Sequence, residues 1–490
     1  MKTTLALLLN SPDLLLTFPW INNQEARVNT LFSVINPYTG DTVAEVGAAD
    51  SELTAQAIEA SENAFSHWKQ VAPKQRVAIL NRWSQLLLEN VDDLAKIMTS
   101  ESGKVFSQAQ GEITHCANML RWYGESLLRM TGETLPSHSA NLRAHTIKQP
   151  LGVVACITPW NFPAAAVIVK AGAAIAAGNV CVLKPSDETP LIALALAKLA
   201  SKAGLPDGVF NVLPCQNPEA VGDVLCAHNS VRMLSFTGST NTGKKLYEQC
   251  GKTLKRLAFE LGGNAPFIVF DDADIDLVVQ NAISARFYNS GQICVGANRF
   301  FIHESIHDKF IETLTAAVQQ LPVGDPMAES TFIGPMINDR AVTRLNGLIT
   351  DSLNKGAKLV LGDVSSNEHG VISPVILSNM NASMTAYSQE IFGPIVCVYS
   401  FNSEDDVIAA ANDTDAGLAA YVFSQNYSRL LRLSESLEAG AIGANTTALF
   451  SEDIPFGGIK QSGIGKEQGI HGLEEFVDTK AVCLGIETSN

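Results

Sequence analysis

A single cysteine, Cys294, closes the run Asn289-Ser290-Gly291-Gln292-Ile293-Cys294, a Gly-bearing polar turn between a helical pattern and a strand-like one. A thiol is a nucleophile only as its thiolate, so it needs access and nearby donors, and an exposed, adaptable turn offers both. Cys156 and Cys181 fall inside apolar runs and read as inert core residues, which is also the ordinary alternative for Cys294. Glu260 follows the strand-like run 254–259 and precedes Gly262 and Gly263. A carboxylate at a strand end beside a cleft suits a general base, because partial desolvation raises its pKa; a capping or ion-paired glutamate is the alternative. In Thr158-Pro159-Trp160-Asn161-Phe162-Pro163 the two prolines forbid regular structure and hold the Asn161 amide at the end of the preceding strand. A fixed N–H there can stabilise an oxyanion, with an Asx-turn as the alternative.

Phosphate chemistry is suggested by Phe236-Thr237-Gly238-Ser239-Thr240-Asn241-Thr242-Gly243, a Gly-rich turn ahead of a helix expected to start near Gly243. Backbone N–H groups at a helix N-terminus suit a pyrophosphate. Lys184-Pro185-Ser186-Asp187 closes a strand with a cation and a carboxylate placed for ribose hydroxyls. His303-Glu304-Ser305-Ile306-His307 matches the zinc-protease pattern HExxH. Here His303 ends a strand and Ser305 reads as the N-cap of a following helix, so the histidines fall on different elements and no metal site is expected.

These residues need a scaffold. From about 50 to 102 the spacing of Leu80, Trp83, Leu87, Val91 and Leu94 predicts a packed helical layer. From 152 onward short apolar runs (153–157, 180–183, 209–213, 233–236) alternate with helical stretches such as 192–203, the pattern of buried parallel strands with crossover helices. The expected result is a doubly wound α/β sheet with ligands beyond the strand ends. The alternation restarts after Gly263 with 267–270, a helix through Ala285 and a strand at 299–302, predicting a second α/β domain. Residues 129–148 are polar without a helical stripe, and 476–484 reads as a lone strand; each is a candidate arm pairing within an assembly.

The chain has 490 residues, more than one core usually serves, and 46% hydrophobic with 17% charged residues excludes a disordered or fibrous protein. A net charge of −16 opposes binding to nucleic acid or anionic membranes. Nine cysteines without a CxxC pair argue against a disulfide framework or a cysteine zinc site and favour a reducing, cytoplasmic setting. The apolar run Leu5 to Leu9 is interrupted by polar residues and reads as the first turn of the fold rather than a signal peptide, and no stretch is long enough to span a membrane.

Taken together, TPWNFP, KPSDETP, FTGST, FELGG, GQICVGANR, QEIFGPI (389–395) and PFGGIKQSG (455–463) resemble the NAD(P)-dependent aldehyde dehydrogenase superfamily, in order and across essentially the whole chain. Glu101-Ser102-Gly103-Lys104 is a lesser family-like stretch. The resemblance implies a Rossmann-like cofactor domain (1–125 and 148–259), an α/β catalytic domain (260–470) and a small β oligomerisation arm (126–147 and 471–490), in a homodimer or homotetramer. It makes Cys294 the nucleophile, Asn161 with the Cys294 backbone N–H the oxyanion hole, Glu260 the base for the deacylating water and Lys170 an aid to proton movement. For NAD, with NADP possible, it implies Lys184, Ser186 and Asp187 at the adenosine ribose, Gly238 and Ser239 at the pyrophosphate, and Glu390 and Phe392 at the nicotinamide. Thr158, Trp160, Phe236 and Leu261 complete that set. The reaction implied is oxidation of an aldehyde to a carboxylic acid through a cysteine thioester.

Within the superfamily the chain looks most like succinate-semialdehyde dehydrogenases. Where that subfamily holds the substrate carboxylate with two arginines, this chain has Val169 and Tyr288, and its frequent second cysteine is Gly296. With His115, Phe162, Ala165, Ile293, Val295 and Phe456 the expected pocket is mostly apolar or aromatic. The expectation is therefore a neutral aliphatic or aromatic aldehyde, with a semialdehyde as the alternative. A CoA-acylating enzyme and a non-catalytic cofactor-binding protein are further alternatives.

Overall fold

The structure is a computed structural model that describes residues 4–363 and 369–487. Two mixed sheets face one another across the site, and a third, small sheet stands apart from both. In the first sheet the strands Phe210–Val212, Val180–Lys184, Val153–Ile157, Val231–Thr237 and Arg256–Glu260 lie side by side in that order and run parallel. Short antiparallel strands close its two ends, Trp20–Ile21 followed by Gln24–Glu25 at one and Gly463–Ile464 at the other. Val153–Ile157 and Val180–Lys184 are buried at every position, as expected of strands covered on both faces by crossover helices. Strand order reverses between Val153–Ile157 and its neighbour Val231–Thr237, and the crevice beyond their carboxyl ends is where such sheets bind ligands. The turn carrying Asn161 leaves one of these strands and the Gly238 turn leaves the other.

The second sheet sets Val375–Ser378, Ile395–Phe401, Arg299–His303, Pro266–Val269, Ala419–Phe423 and Ala441–Ala444 in parallel order, with Lys358–Leu361 antiparallel at one edge. The third pairs Val477–Gly485 with Leu142–Pro150 over nine successive positions, and Thr134–Leu135 with the far side of the latter. The two segments expected as arms thus pair with each other in one chain.

The helical layer comprises Ser51–Trp68, Pro73–Glu89, Val91–Ser102 and Phe106–Leu127. Leu80, Trp83, Leu87 and Leu94 are buried as their spacing predicts, but Asn90 leaves the helical conformation and divides the stripe between two helices. Thr4–Leu8 is a helix that buries Leu5, and Leu9 is buried just beyond it.

Three local expectations are corrected. The strand after residue 253 begins at Arg256, because Leu254 adopts a left-handed turn conformation at φ 50° and is exposed. The helix expected near Gly243 starts at Thr240, with Ser239 as its N-cap accepting from the Thr242 N–H at 3.3 Å. Ser305 is not an N-cap: it lies in a short 3-10 turn whose cap is His303, and the α-helix begins at His307. The two histidines do lie on different elements, and no cluster able to hold a metal occurs among the described residues. No helix of the described residues is long and apolar enough to cross a membrane.

Candidate active site

A cleft of about 1600 Å³ opens between the two large sheets. Cys294, Glu260 and Asn161 all line it, although they come from separate turns up to 133 positions apart in sequence. The turn before Cys294 is the least ordinary backbone in the site. Asn289, Ser290 and Gly291 adopt left-handed conformations in succession at φ 49°, 55° and 75°, which side chains normally avoid. Buried contacts hold them there. The Asn289 N–H donates to Gln108 Oε1 at 2.9 Å, and its Nδ2 donates to the Asn161 carbonyl at 2.9 Å. Ser290 Oγ donates to the Gly334 carbonyl at 3.0 Å and accepts the Gly334 N–H at 3.1 Å. The fully buried Arg286 donates to the Gly291 carbonyl at 2.8 Å. The turn is therefore buried and rigid, not exposed and adaptable as its polar composition indicated; Cys294 alone keeps part of its surface at the cleft floor.

Glu260 ends its strand with 3% of its surface exposed, and its Oε1 has no hydrogen-bond partner among the described residues. Burial, aided by the neighbouring Glu467 carboxylate, pushes its pKa up to about 8, while a hydrogen bond with Cys294 and the charge of Lys170 oppose the rise. Burial, then the Glu260 charge, pushes the Cys294 thiol well above the usual thiol range. Thiol and carboxyl are thus hydrogen-bonded neighbours between which a proton can pass. Asn161 Nδ2 donates to the Gln292 carbonyl at 3.1 Å, which fixes the amide beside the cysteine turn and leaves its second N–H for a ligand.

Lys170 does not line the cleft. It lies wholly buried in a π-helical turn, ion-paired with Glu467 and 3.3 Å from Ser235 Oγ. Glu467 does line the cleft and connects Lys170 to it.

Of the cofactor set, Trp160, Gly238, Ser239, Leu261, Glu390 and Phe392 line the cleft. The Gly238 N–H is committed to the Glu260 carbonyl at 3.1 Å, so an anion there would meet the first-turn amides of Thr240 and Asn241, which have no intrahelical acceptor. A Cβ on Gly262 would fall 2.9 Å from Glu390 Oε2, so the missing side chain leaves room for close approach of a ligand. Glu390 accepts the Gly263 N–H at 3.2 Å and is pushed by burial up to about 7. Phe392, at φ 48°, meets the Trp160 ring edge-on at 5.5 Å. Thr158, Phe236, Lys184, Ser186 and Asp187 cluster at the same strand ends but outside the cleft lining. Lys184 Nζ is spent on the Pro185 carbonyl at 2.9 Å, whereas Asp187 is exposed.

All eight expected pocket residues, His115, Phe162, Ala165, Val169, Tyr288, Ile293, Val295 and Phe456, line the cleft. Phe162 and Tyr288 face each other nearly in parallel, with centroids 6.4 Å apart. His115 lies 3.7 Å from Glu452, and burial lowers its pKa against the pull of Glu452 and Glu112. Gln108, Glu112, Arg286, Thr447 and Glu467 are site residues that sequence reasoning missed; all but Arg286, which braces the nearby Gly291 and Ala297 carbonyls, act through a contact with a segment remote in sequence, for which a lone sequence carries no signal.

The cleft, the cysteine turn and the doubly wound sheet define an aldehyde-oxidising class, and residues 20–482 match the Aldehyde dehydrogenase family, to which this chain belongs. It is 45% identical to the succinate-semialdehyde dehydrogenase [NADP(+)] of Escherichia coli K12 over 95% of each chain. It is 44% identical to the glutarate-semialdehyde dehydrogenase of Pseudomonas putida KT2440, covering 95% of this chain and 97% of that one. Among solved structures, an aldehyde dehydrogenase from Brucella melitensis biovar abortus 2308 superposes with a TM-score of 0.96 at 42% identity, covering 98% of this chain and 99% of that one. The fold expected from the motifs is thus the fold found.

Proposed function

We propose that this chain oxidises a short aldehyde with an anionic far end, of the succinate- or glutarate-semialdehyde kind, to the carboxylic acid, using NAD+ or NADP+. The observation that carries the reaction is the meeting of Cys294, Glu260 and Asn161 in one cleft beside a helix N-terminus and the glycine-lined floor at Gly262. Glu260 takes the thiol proton, and the thiolate adds to the carbonyl carbon. The oxyanion is met by the free Asn161 N–H and the Cys294 backbone N–H. A bound nicotinamide supplies the acceptor for two electrons and a proton's mass as hydride. Cys294 then carries a thioester; Glu260, once it has passed the thiol proton to solvent, is again a base, takes a proton from the water that attacks the thioester carbon, and returns it to the departing thiolate as the acid is released.

The anionic substrate is supported by the relatives, two of which are named for semialdehydes. Tyr288, at one of the two positions where the subfamily has arginines, and His115 are donors that line the pocket. A neutral aldehyde is the second reading, favoured by the apolar lining of Val169, Ile293, Val295 and Phe456, which rewards hydrocarbon by about 25 cal/mol per Å² buried. Comparing kcat/KM for succinate semialdehyde, glutarate semialdehyde, hexanal and benzaldehyde, with each cofactor, separates the two. The semialdehydes are expected to lead; a hexanal or benzaldehyde advantage would reverse the substrate assignment. Loss of all turnover in Cys294→Ala is the expected control, and normal turnover there would remove the reaction itself.

A further inference from the structure

The Glu101-Ser102-Gly103-Lys104 run has no part in the chemistry above, yet it reaches the site. Gly103, at φ 71°, turns the chain out of the helix Val91–Ser102, and a Cβ there would lie 2.6 Å from Pro335. Lys104 then enters the core. Its side chain is fully buried, ion-paired with Glu112, and its Nζ lies 3.8 Å from the centre of the Phe162 ring. Two residues on, the helix Phe106–Leu127 begins, and Gln108 and Glu112, four apart, share one face of it. Gln108 accepts the Asn289 N–H in the turn that carries Cys294. Glu112 accepts the N–H groups of Ala164 and Ala165, each at 2.9 Å, at the start of the helix that follows Asn161 and Phe162. One helix face therefore grips both the nucleophile turn and the oxyanion turn.

We propose that Lys104 is a positioning residue for acylation: by fixing Glu112 and the face of Phe162 it sets the distance between the Asn161 amide and Cys294. A carboxylate that had lost its buried cation would seek water or another donor, and the two backbone amides it holds would move with it. This rests on the reading of Asn161 as the oxyanion donor.

The test is a stopped-flow burst of reduced nicotinamide with succinate semialdehyde and, in parallel, hexanal. Lys104→Met removes the cation at similar length, and the burst rate is expected to fall about tenfold, the scale of a small misplacement at a reacting centre. Alkylation of Cys294 by iodoacetamide, followed by peptide mass, and dinucleotide affinity should stay within about twofold, since neither step builds an oxyanion. A general loosening of the fold would move all three. Lys104→Met combined with Asn161→Ala is expected to lose no more than Asn161→Ala alone, because the two act in series. An unchanged burst in Lys104→Met, or losses that add in the double variant, would overturn the proposal. If Lys104→Met does not fold, Glu112→Gln, which keeps an acceptor for the backbone amides and removes the charge, carries the same comparison. A normal burst in Asn161→Ala would show instead that the oxyanion assignment is wrong, and the positioning role would fall with it.

Discussion

Glu260 is asked to act twice, and its environment sets the pH at which it can. Burial holds its carboxyl neutral up to about 8, so at neutral pH most molecules carry a protonated Glu260. A base works only when deprotonated; the deacylation rate should therefore rise with pH through about 8 and then level, and fall roughly tenfold per unit below it. Steady-state kcat against pH for the wild type is expected to show this limb. Glu260→Gln, which removes the base from both steps, should slow the hydride burst as well as lose most of the steady-state rate, and should lose the limb. A limb unchanged in that variant would assign the titration to another group. Asp187 supports a second expectation at this scale. It is exposed at the end of Val180–Lys184, beside Glu188, which is tied to Asn338 Nδ2 at 2.7 Å. Two neighbouring carboxylates repel a 2′-phosphate, and Lys184 already donates to Pro185. NAD+ should therefore have the higher kcat/KM, and Asp187→Ala should shift the ratio toward NADP+ by about tenfold, one unit of charge repulsion at close range. A wild-type preference for NADP+ would show that Lys184 and Ser186 dominate that end of the site.

Between elements, the site depends on how closely two turns can approach. A Cβ on Gly263 would stand 2.4 Å from the Cys294 carbonyl oxygen, a backbone atom that cannot swing aside. Gly263→Ala should lower both the burst rate and the midpoint of thermal unfolding, since the cysteine turn must move to admit the methyl. A variant with a normal burst would mean that this turn is looser than its hydrogen bonds indicate. The same approach explains what a lone sequence discloses and what it does not. The strands at 153–157, 180–184 and 231–237 were legible because burial on both faces leaves near-continuous apolar runs bounded by Gly and Pro. The Asn161 turn was legible because its prolines dictate the backbone. The burial of Asn289 and Ser290 was not, because polar side chains signal exposure unless their partners are known, and those partners, Gln108 and Gly334, stand 181 and 44 positions away. Likewise Lys170 and Glu467 meet across 297 positions, so the route from the buried lysine to the cleft exists only in the folded chain.

At the scale of the whole molecule, the third sheet poses the remaining problem. Val477–Gly485 and Leu142–Pro150 are fully paired along their length, yet after Val477 the tail strand is mostly exposed, and Leu484 and Leu128 each leave half of their surface open. A narrow antiparallel sheet whose long outer strand is mostly exposed is marginal in water. Its root is nevertheless firmly tied to the first sheet: Arg256 donates to the carbonyls of Glu475 and Val477 and pairs with Asp478 at 2.7 Å, and Asn179 donates to the Phe476 carbonyl at 2.8 Å. We propose that this arm, anchored at its base and bare along its outer strand, is covered by another copy of the chain, the oligomerisation role that the family resemblance implies. Sedimentation velocity on the full chain should give a dimer or tetramer. Ending the chain after Phe476 keeps the Asn179 contact and removes the paired strand, so the sheet loses its longest ladder and Leu142–Pro150 gains an open edge. That truncation is expected to sediment as a monomer or to aggregate through the new edge, while the dinucleotide, whose proposed contacts are on the first sheet and in the cleft, should still quench tryptophan fluorescence in any soluble fraction. A truncated chain that keeps the full oligomeric mass would place the subunit contact elsewhere, on the large sheets themselves.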